Sequence, residues 1–174
     1  MGFTVTADHL AWINGEKDDP DDLCLHGHAA AVIGGRTLEY ECATVSATAL
    51  YLLKTLTEDH IIHQDNQMLP CCGFFMLANE TLDNVTVIGC PNGVDWTVLH
   101  RSDGTVSLIL GDGTEETVSP EAYRAEVFRF ADMIEDFYAS CSPKVMPEDP
   151  TDRDGYTAFW NEWHRRRGRR NPAE

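Results

Sequence analysis

The sequence has no apolar run long enough to cross a bilayer. Its longest runs, such as 29–33 and 74–78, fall far short of the ~20 residues that a spanning helix needs. The first residues lack the basic and apolar regions of a secretory signal, so we expect a cytoplasmic protein with no membrane partner. Of its 174 residues, 43% are hydrophobic and 24% charged. This composition is typical of a globular domain and excludes a largely disordered or collagen-like chain.

Cations are scarce. The chain carries 13 Lys and Arg against 29 Asp and Glu, a net charge of −16 with neutral histidines. Residues 1–150 hold 7 of the cations and 25 of the acids, while residues 151–174 hold 6 and 4, so an acidic body precedes a basic tail. Because contacts to phosphates need cations, the body disfavours nucleic acid and favours a basic protein partner. Acidity that serves solubility alone is the alternative.

The common catalytic and nucleotide-binding motifs are also absent. The sequence contains no G-x-S-x-G elbow, Walker A loop, dinucleotide-binding G-x-G-x-x-G, C-x-x-C pair or complete EF-hand loop. We therefore expect no cofactor. The first hypothesis is an acidic bacterial cytosolic protein that occludes a basic protein, as immunity proteins or inhibitors of nucleic-acid enzymes do. The alternative is a metal-dependent hydrolase or metal-binding protein.

Hairpin and helix signals predict one α+β domain over 1–141. Two halves, 1–66 and 67–141, each contain glycine-turn hairpins, then Thr-Val-Ser, then an amphipathic helix, which is either a pseudo-repeat or chance. The helices are predicted at about 47–60 and 120–140. We expect a mostly antiparallel, curved sheet with these two main helices packed on it.

The C-terminal part differs in composition. Three prolines predict a linker at 142–150, followed by a short helix at 151–167 and a disordered tail at 168–174. Trp160 and Trp163 share an aromatic face of that helix. Aromatic residues are common at interface hot spots, so this face is predicted either to bind a partner or to dock on the body of the chain itself.

The loop between the first two predicted strands is the densest acidic run. It contains Asp18, Asp19, Asp21 and Asp22. We expect these carboxylates to steer association with a cationic partner. A calcium loop is disfavoured because the alternate-position ligands and the glycine of an EF-hand are missing.

Two histidine clusters are candidate metal sites. Cys24, His26 and His28 are two residues apart, so a continuous strand would direct them to one face. A partly exposed sheet surface explains the same pattern without a metal.

The second cluster surrounds the predicted end of the first helix. His60 and His63 would lie on one side of that end, where Asp59 or Asp65 could complete a two-histidine, one-carboxylate set. The alternative is that the histidines only complement the helix dipole.

Six cysteines are scattered along the chain, and reduced thiols are expected in the absence of an export signal. Cys71 and Cys72 are adjacent, with no Lys or Arg nearby to activate a nucleophile. Two adjacent side chains could point at one metal only with backbone strain. Buried thiols in front of a strand are therefore the simpler interpretation, with a redox or nucleophilic role as the alternative.

Overall fold

The computed structural model describes residues 2–64, 66–73 and 75–168. Within this part of the chain it is a mixed α+β structure with three helices and four small antiparallel sheets, none of them closed. The predicted α+β class is confirmed. The finer expectation, a curved sheet built from two hairpin-rich halves, stays a prediction.

The first sheet has three antiparallel strands, β1 (Thr4–Ala11), β2 (His26–Ile33) and β3 (Arg36–Thr44), in the order β1-β2-β3. Gly34 and Gly35 make the turn between β2 and β3 at φ of 57° and 76°, a region that glycine enters without steric cost. Burial alternates along β2, so one face of the sheet packs on the core.

Two helices follow strands along the chain, one directly after β3 and the other after the last strand. In α1 (Val45–Lys54) every residue from Val45 to Leu53 is buried, so this helix runs through the core. In α2 (Pro120–Ser140) the Ser119 side chain accepts a hydrogen bond from the amide of Ala122, and Pro120 occupies the first helical position. The prediction for α2 is confirmed, whereas α1 ends at Lys54 and not near His60.

The other strands lie in three smaller sheets. Their pairings are antiparallel throughout. They are β4 (Leu69–Pro70) with β7 (Gly93–Val94), β5 (Phe75–Ala78) with β6 (Val85–Ile88), and β8 (Thr97–His100), β9 (Val106–Ile109) and β10 (Glu115–Val118) in the order β10-β9-β8.

The last helix, α3 (Pro150–Arg167), lies where a helix over 151–167 is predicted. The Asp149 side chain caps it by accepting from the amides of Thr151 and Asp152. It packs on β5 and α1. Most of the tail predicted to be disordered, 169–174, lies outside the described residues. No helix in the described ranges is long and apolar enough to cross a membrane.

Candidate functional site

The acidic loop folds around its own carboxylates. Asp22 accepts hydrogen bonds from the amides of Ile13 (2.7 Å) and Cys24 (3.0 Å). Asp19 accepts from the amide of Asp21 (3.0 Å) and from the side chain of Asn14 (2.7 Å). These aspartates hold the loop in one shape. Asp21 is exposed, and within the described residues its carboxylate has no hydrogen bond or ion pair.

The segment after α2 closes against this loop. Ser142 donates its hydroxyl (2.7 Å) and its amide (3.0 Å) to Asp18, and these bonds lower the pKa of Asp18 from its ordinary value. Lys144 donates to the carbonyl oxygen of Asp19 (2.5 Å), and its Nζ lies 2.9 Å from the ring centre of Trp12. Burial lowers the pKa of Lys144, against the pull of the negative groups around it.

A groove opens beside the loop, with a volume of about 410 Å³. We call it the acidic groove. No lysine or arginine is found among the described residues that line it. Phe75, on β5, is 42% exposed there. The lining consists of three acidic residues and five less polar ones: Asp21, Asp22, Asp152, Leu23, Cys24, Phe75, Met76 and Pro147.

Three apolar side chains are exposed on segments that contact the acidic loop, and we call Ile13, Val145 and Met146 the rim residues. Ile13 is 74% exposed, and its amide bonds to Asp22. Val145 and Met146 are exposed on the segment that closes the loop, and the amide of Val145 donates to the carbonyl oxygen of Pro20 (2.8 Å). Carboxylates and exposed apolar groups therefore lie side by side, which is the composition of a surface for a cationic, partly apolar ligand.

The aromatic face of α3 docks on the body of the chain. Trp163 is fully buried and donates to Glu135 on α2 (3.2 Å). Trp160 is half-buried, with its ring 5.1 Å from Tyr138 and 5.2 Å from Trp163, measured between ring centres. Trp163 therefore belongs to the core in this structure, and of the two tryptophans only Trp160 retains some exposed surface.

The arginines of α3 also bind inside the molecule. Arg166 pairs with Glu162 (2.7 Å) and with Glu58, and Arg167 makes a two-point contact with Asp132 (2.7 Å for both bonds). None of these acids lies in the 18–22 loop. The described arginines at the end of α3 thus supply no counter-charge to the 18–22 loop, where Lys144 is the neighbouring cation.

The structure does not assemble the first candidate metal set. Cys24 precedes β2 and is buried. Its burial, and to a smaller extent the negative charge of the nearby Asp22, raises the pKa of its thiol to about 12. His26 and His28 are on β2, where His26 faces Asp22 (4.0 Å) and His28 faces Asp8 (3.1 Å).

The second candidate set is divided between two separate pairs. His60 lies beyond the end of α1 and bonds through Nε2 to Asp95 (2.7 Å), while its backbone pairs with Val98. Asp59 accepts from the amide (2.8 Å) and the ring (2.9 Å) of His100. His63 is exposed at a φ of 67°, and Asp65 lies outside the described residues. The predicted helix-end arrangement is therefore wrong, because the chain leaves the helix after Lys54 to pair with β8.

Asp95 and His100 are the partners that sequence reasoning missed. Asp95 also accepts from the amides of His63 (3.3 Å) and Met68 (3.1 Å), so it organises the loop after α1. Nothing local marks it, since its partners are about thirty residues away along the chain.

A cluster of three cysteines was also missed. The sulfur atoms of Cys71, Cys72 and Cys90 lie within 4.8 Å of one another, and in the described part of the chain no other group of three His, Cys, Asp or Glu side chains is so close. Cys71 and Cys90 are joined in a disulfide, so the expectation of reduced thiols is wrong for this pair. The pairing of β4 with β7 brings the two residues to a Cα separation of 6.9 Å. Cys71 and Cys72 are half-buried and not fully buried as predicted.

Comparisons with protein-family models, curated proteins and solved structures found no match for this chain.

Proposed function

We propose that this chain is a protein-binding module that uses the acidic groove to occlude a basic protein. In this proposal it acts in the bacterial cytoplasm as an inhibitor, in the manner of an immunity protein or an inhibitor of a nucleic-acid enzyme. The observation that supports it most directly is the groove itself, which is lined by three acidic residues and the exposed Phe75 and has no cation in its described lining.

The charge of the whole chain would act before contact. A net charge of −16 attracts a cationic protein from a distance and raises the association rate, an effect that salt weakens. Lysine or arginine side chains of the partner would then meet Asp21 and Asp152 at the groove.

The apolar side chains would act after contact. Phe75 and the rim residues Ile13, Val145 and Met146 can be removed from water by an apolar part of the partner. Such buried anchors slow dissociation, because the complex can separate only after these apolar side chains are exposed to water again. The loop needs little ordering for this step, since Asp19 and Asp22 already fix its backbone.

The test compares groove variants with a matched control. The double variant Asp21→Asn/Asp152→Asn removes two charges from the groove, and Phe75→Ala removes the central anchor. Glu121→Gln is the control for Asp152, because Glu121 is the acid in the first turn of α2 as Asp152 is in α3. Asp22 is left intact because it holds the loop.

Each variant is used to capture proteins from the cytosol of the native host, and the captured protein is then purified and titrated. We expect a basic protein that binds wild type and the Glu121 variant, and whose association with the Asn double variant is at least about tenfold slower at low salt. Phe75→Ala should mainly speed dissociation. A captured protein that is acidic, or that binds all four forms equally, would overturn the proposal.

The described residues of the two candidate sets give no support to the alternative, a metal-dependent hydrolase or metal-binding protein that uses a His/Asp or Cys/His cluster. His60, Asp59, His26 and His28 each face a different acid or histidine.

A further inference from the structure

Two loops hold the three clustered cysteines. Cys71 and Cys72 follow β4, and Cys90 precedes β7, its pairing partner. The amide of Cys90 donates to the sulfur of Cys72 (2.9 Å). A Cβ at Gly89 would meet the carbonyl oxygen of Cys72 at 2.5 Å, so the two backbones are in direct contact there. The backbones that carry the three cysteines are thus held close together, and rotation about the side-chain bonds sets where the sulfurs lie.

The arrangement of the sulfurs suits a soft metal ion. Thiolates bind zinc at about 2.3 Å, which places neighbouring sulfurs of a tetrahedral site roughly 3.8 Å apart. The three sulfurs here lie within 4.8 Å of one another, and the three residues are half-buried. Neither Cys71 nor Cys72 has a positive φ, so the backbone strain expected for two adjacent ligands is not found in this structure. Small rotations about their side-chain bonds would bring the three atoms to a common ion once no bond joins Cys71 to Cys90.

An open groove of about 350 Å³ lies next to the cluster. Cys90 lines it together with His63, Asn66 and Gln67. A metal held by three thiolates has a fourth position for water or a small ligand, and the groove beside Cys90 gives access to the cluster. The groove shares no lining residue with the acidic groove.

We propose that Cys71, Cys72 and Cys90 form a zinc-binding site in the reduced protein, and that the disulfide closes this site. A dithiol reductant supplies two electrons and two protons to the Cys71–Cys90 bond, giving two thiols and the oxidised form of the reductant. Zinc then displaces three thiol protons to solvent and is held by three thiolates. The proposal is independent of the protein-binding function.

The experiment uses the full chain, reduced under nitrogen, freed of reductant and titrated with zinc alone. Wild type should bind one zinc, and cobalt in its place should show the charge-transfer absorption of thiolate ligands. Cys72→Ser is the main variant, because Cys72 is outside the disulfide and its loss leaves the oxidised fold intact. We expect its affinity to fall by on the order of 100-fold or more. Cys42→Ser and Cys141→Ser are controls that remove other free cysteines and should bind as wild type does.

A second measurement counts the thiols that zinc protects from alkylation, by mass spectrometry of peptides. Zinc should protect the peptides that contain Cys71, Cys72 and Cys90, and should leave Cys42 reactive. Three outcomes would overturn the proposal: no zinc bound by the reduced chain, equal binding by Cys72→Ser, or equally tight binding by the oxidised chain. The last two would show that zinc binds elsewhere, for example to exposed acids.

Discussion

His26 and Asp22 lie next to each other where the acidic loop enters β2. The His26 side chain is 17% exposed, its Nδ1 is 4.0 Å from Asp22, and that buried nitrogen has no hydrogen-bond partner in the described structure. Burial lowers the pKa of His26, although the nearby Asp22 and the backbone of Cys24 act in the opposite direction. The neutral imidazole is therefore the form that the folded protein prefers.

This preference predicts a loss of stability in mild acid. Near pH 7.5 the imidazole is neutral in the folded and the unfolded chain, so it contributes no difference; below about pH 6.5 the unfolded chain takes up the proton first. As the pH is lowered through about 6.5, the free energy of unfolding should therefore decrease more steeply in wild type than in His26→Gln. Urea denaturation about one unit above and one unit below pH 6.5 measures the two slopes. Equal slopes would contradict the burial argument.

At the scale of elements, helix α3 is attached to the body by a buried carboxylate. Glu162 is fully buried, and its two oxygens accept from the amide of Val85 (2.8 Å) and from Arg166 (2.7 Å), with Lys54 at 3.3 Å. One side chain thus connects β6, α1 and α3. A buried carboxylate is tolerated only with partners of this kind, which explains why the arginines of the tail are used internally.

The approach of α3 to β5 depends on Gly155. A Cβ there would be forced against the backbone carbonyl of Met76, which cannot move without disturbing β5. Alanine favours a helix by about 1 kcal/mol over glycine, but overpacking of this kind costs about 1–3 kcal/mol or more. After the helix gain is subtracted from a cost in the upper part of this range, we expect Gly155→Ala to lower the free energy of unfolding by about 1–2 kcal/mol in urea denaturation.

Gly111→Ala, in a turn, is the control for replacing a glycine without overpacking, since its Cβ would make an ordinary contact of 3.7 Å with Ile62. This variant should be close to wild type in stability. If Gly155→Ala were as stable as the control, helix preference would dominate and the close contact between α3 and β5 would not hold.

Local signals in the sequence predict some elements well and others not at all. The limits of α2 follow from Ser119, Pro120 and the apolar stripe, all within the helix or its cap. The end of α1 does not follow from local signals, because it depends on the pairing of His60 with Val98, a residue far along the chain. The same holds for the site: the sequence predicts an acidic loop, but only folding adds residues from β5 and α3 to it. Periodicity likewise groups Trp160 with Trp163 and leaves open which of them stays exposed.

The whole molecule is strongly and unevenly charged. The arginines of α3 neutralise Glu58, Glu162 and Asp132, all outside the acidic loop. The groove acids Asp21 and Asp152 have no ion pair in the described structure. With 29 acidic and 13 basic residues, repulsion between like charges outweighs attraction. This repulsion lowers the stability of the folded state at low salt.

Salt should therefore stabilise this protein. Between about 0.01 M and 0.1 M NaCl the screening length falls from about 30 Å to about 10 Å, which weakens repulsion across the body more than it weakens close, partly buried ion pairs. We expect the Tm to rise over this range, by about 2–4 °C for each 1 kcal/mol that the free energy of unfolding gains from weaker repulsion. Asp21→Asn/Asp152→Asn should melt higher than wild type at low salt and respond less to NaCl, because two repelling charges are gone. Calorimetry of both proteins across the salt range is the measurement. A Tm that decreases with salt would mean that the attractive pairs of α3 govern stability and that the acidic surface is not under repulsive stress.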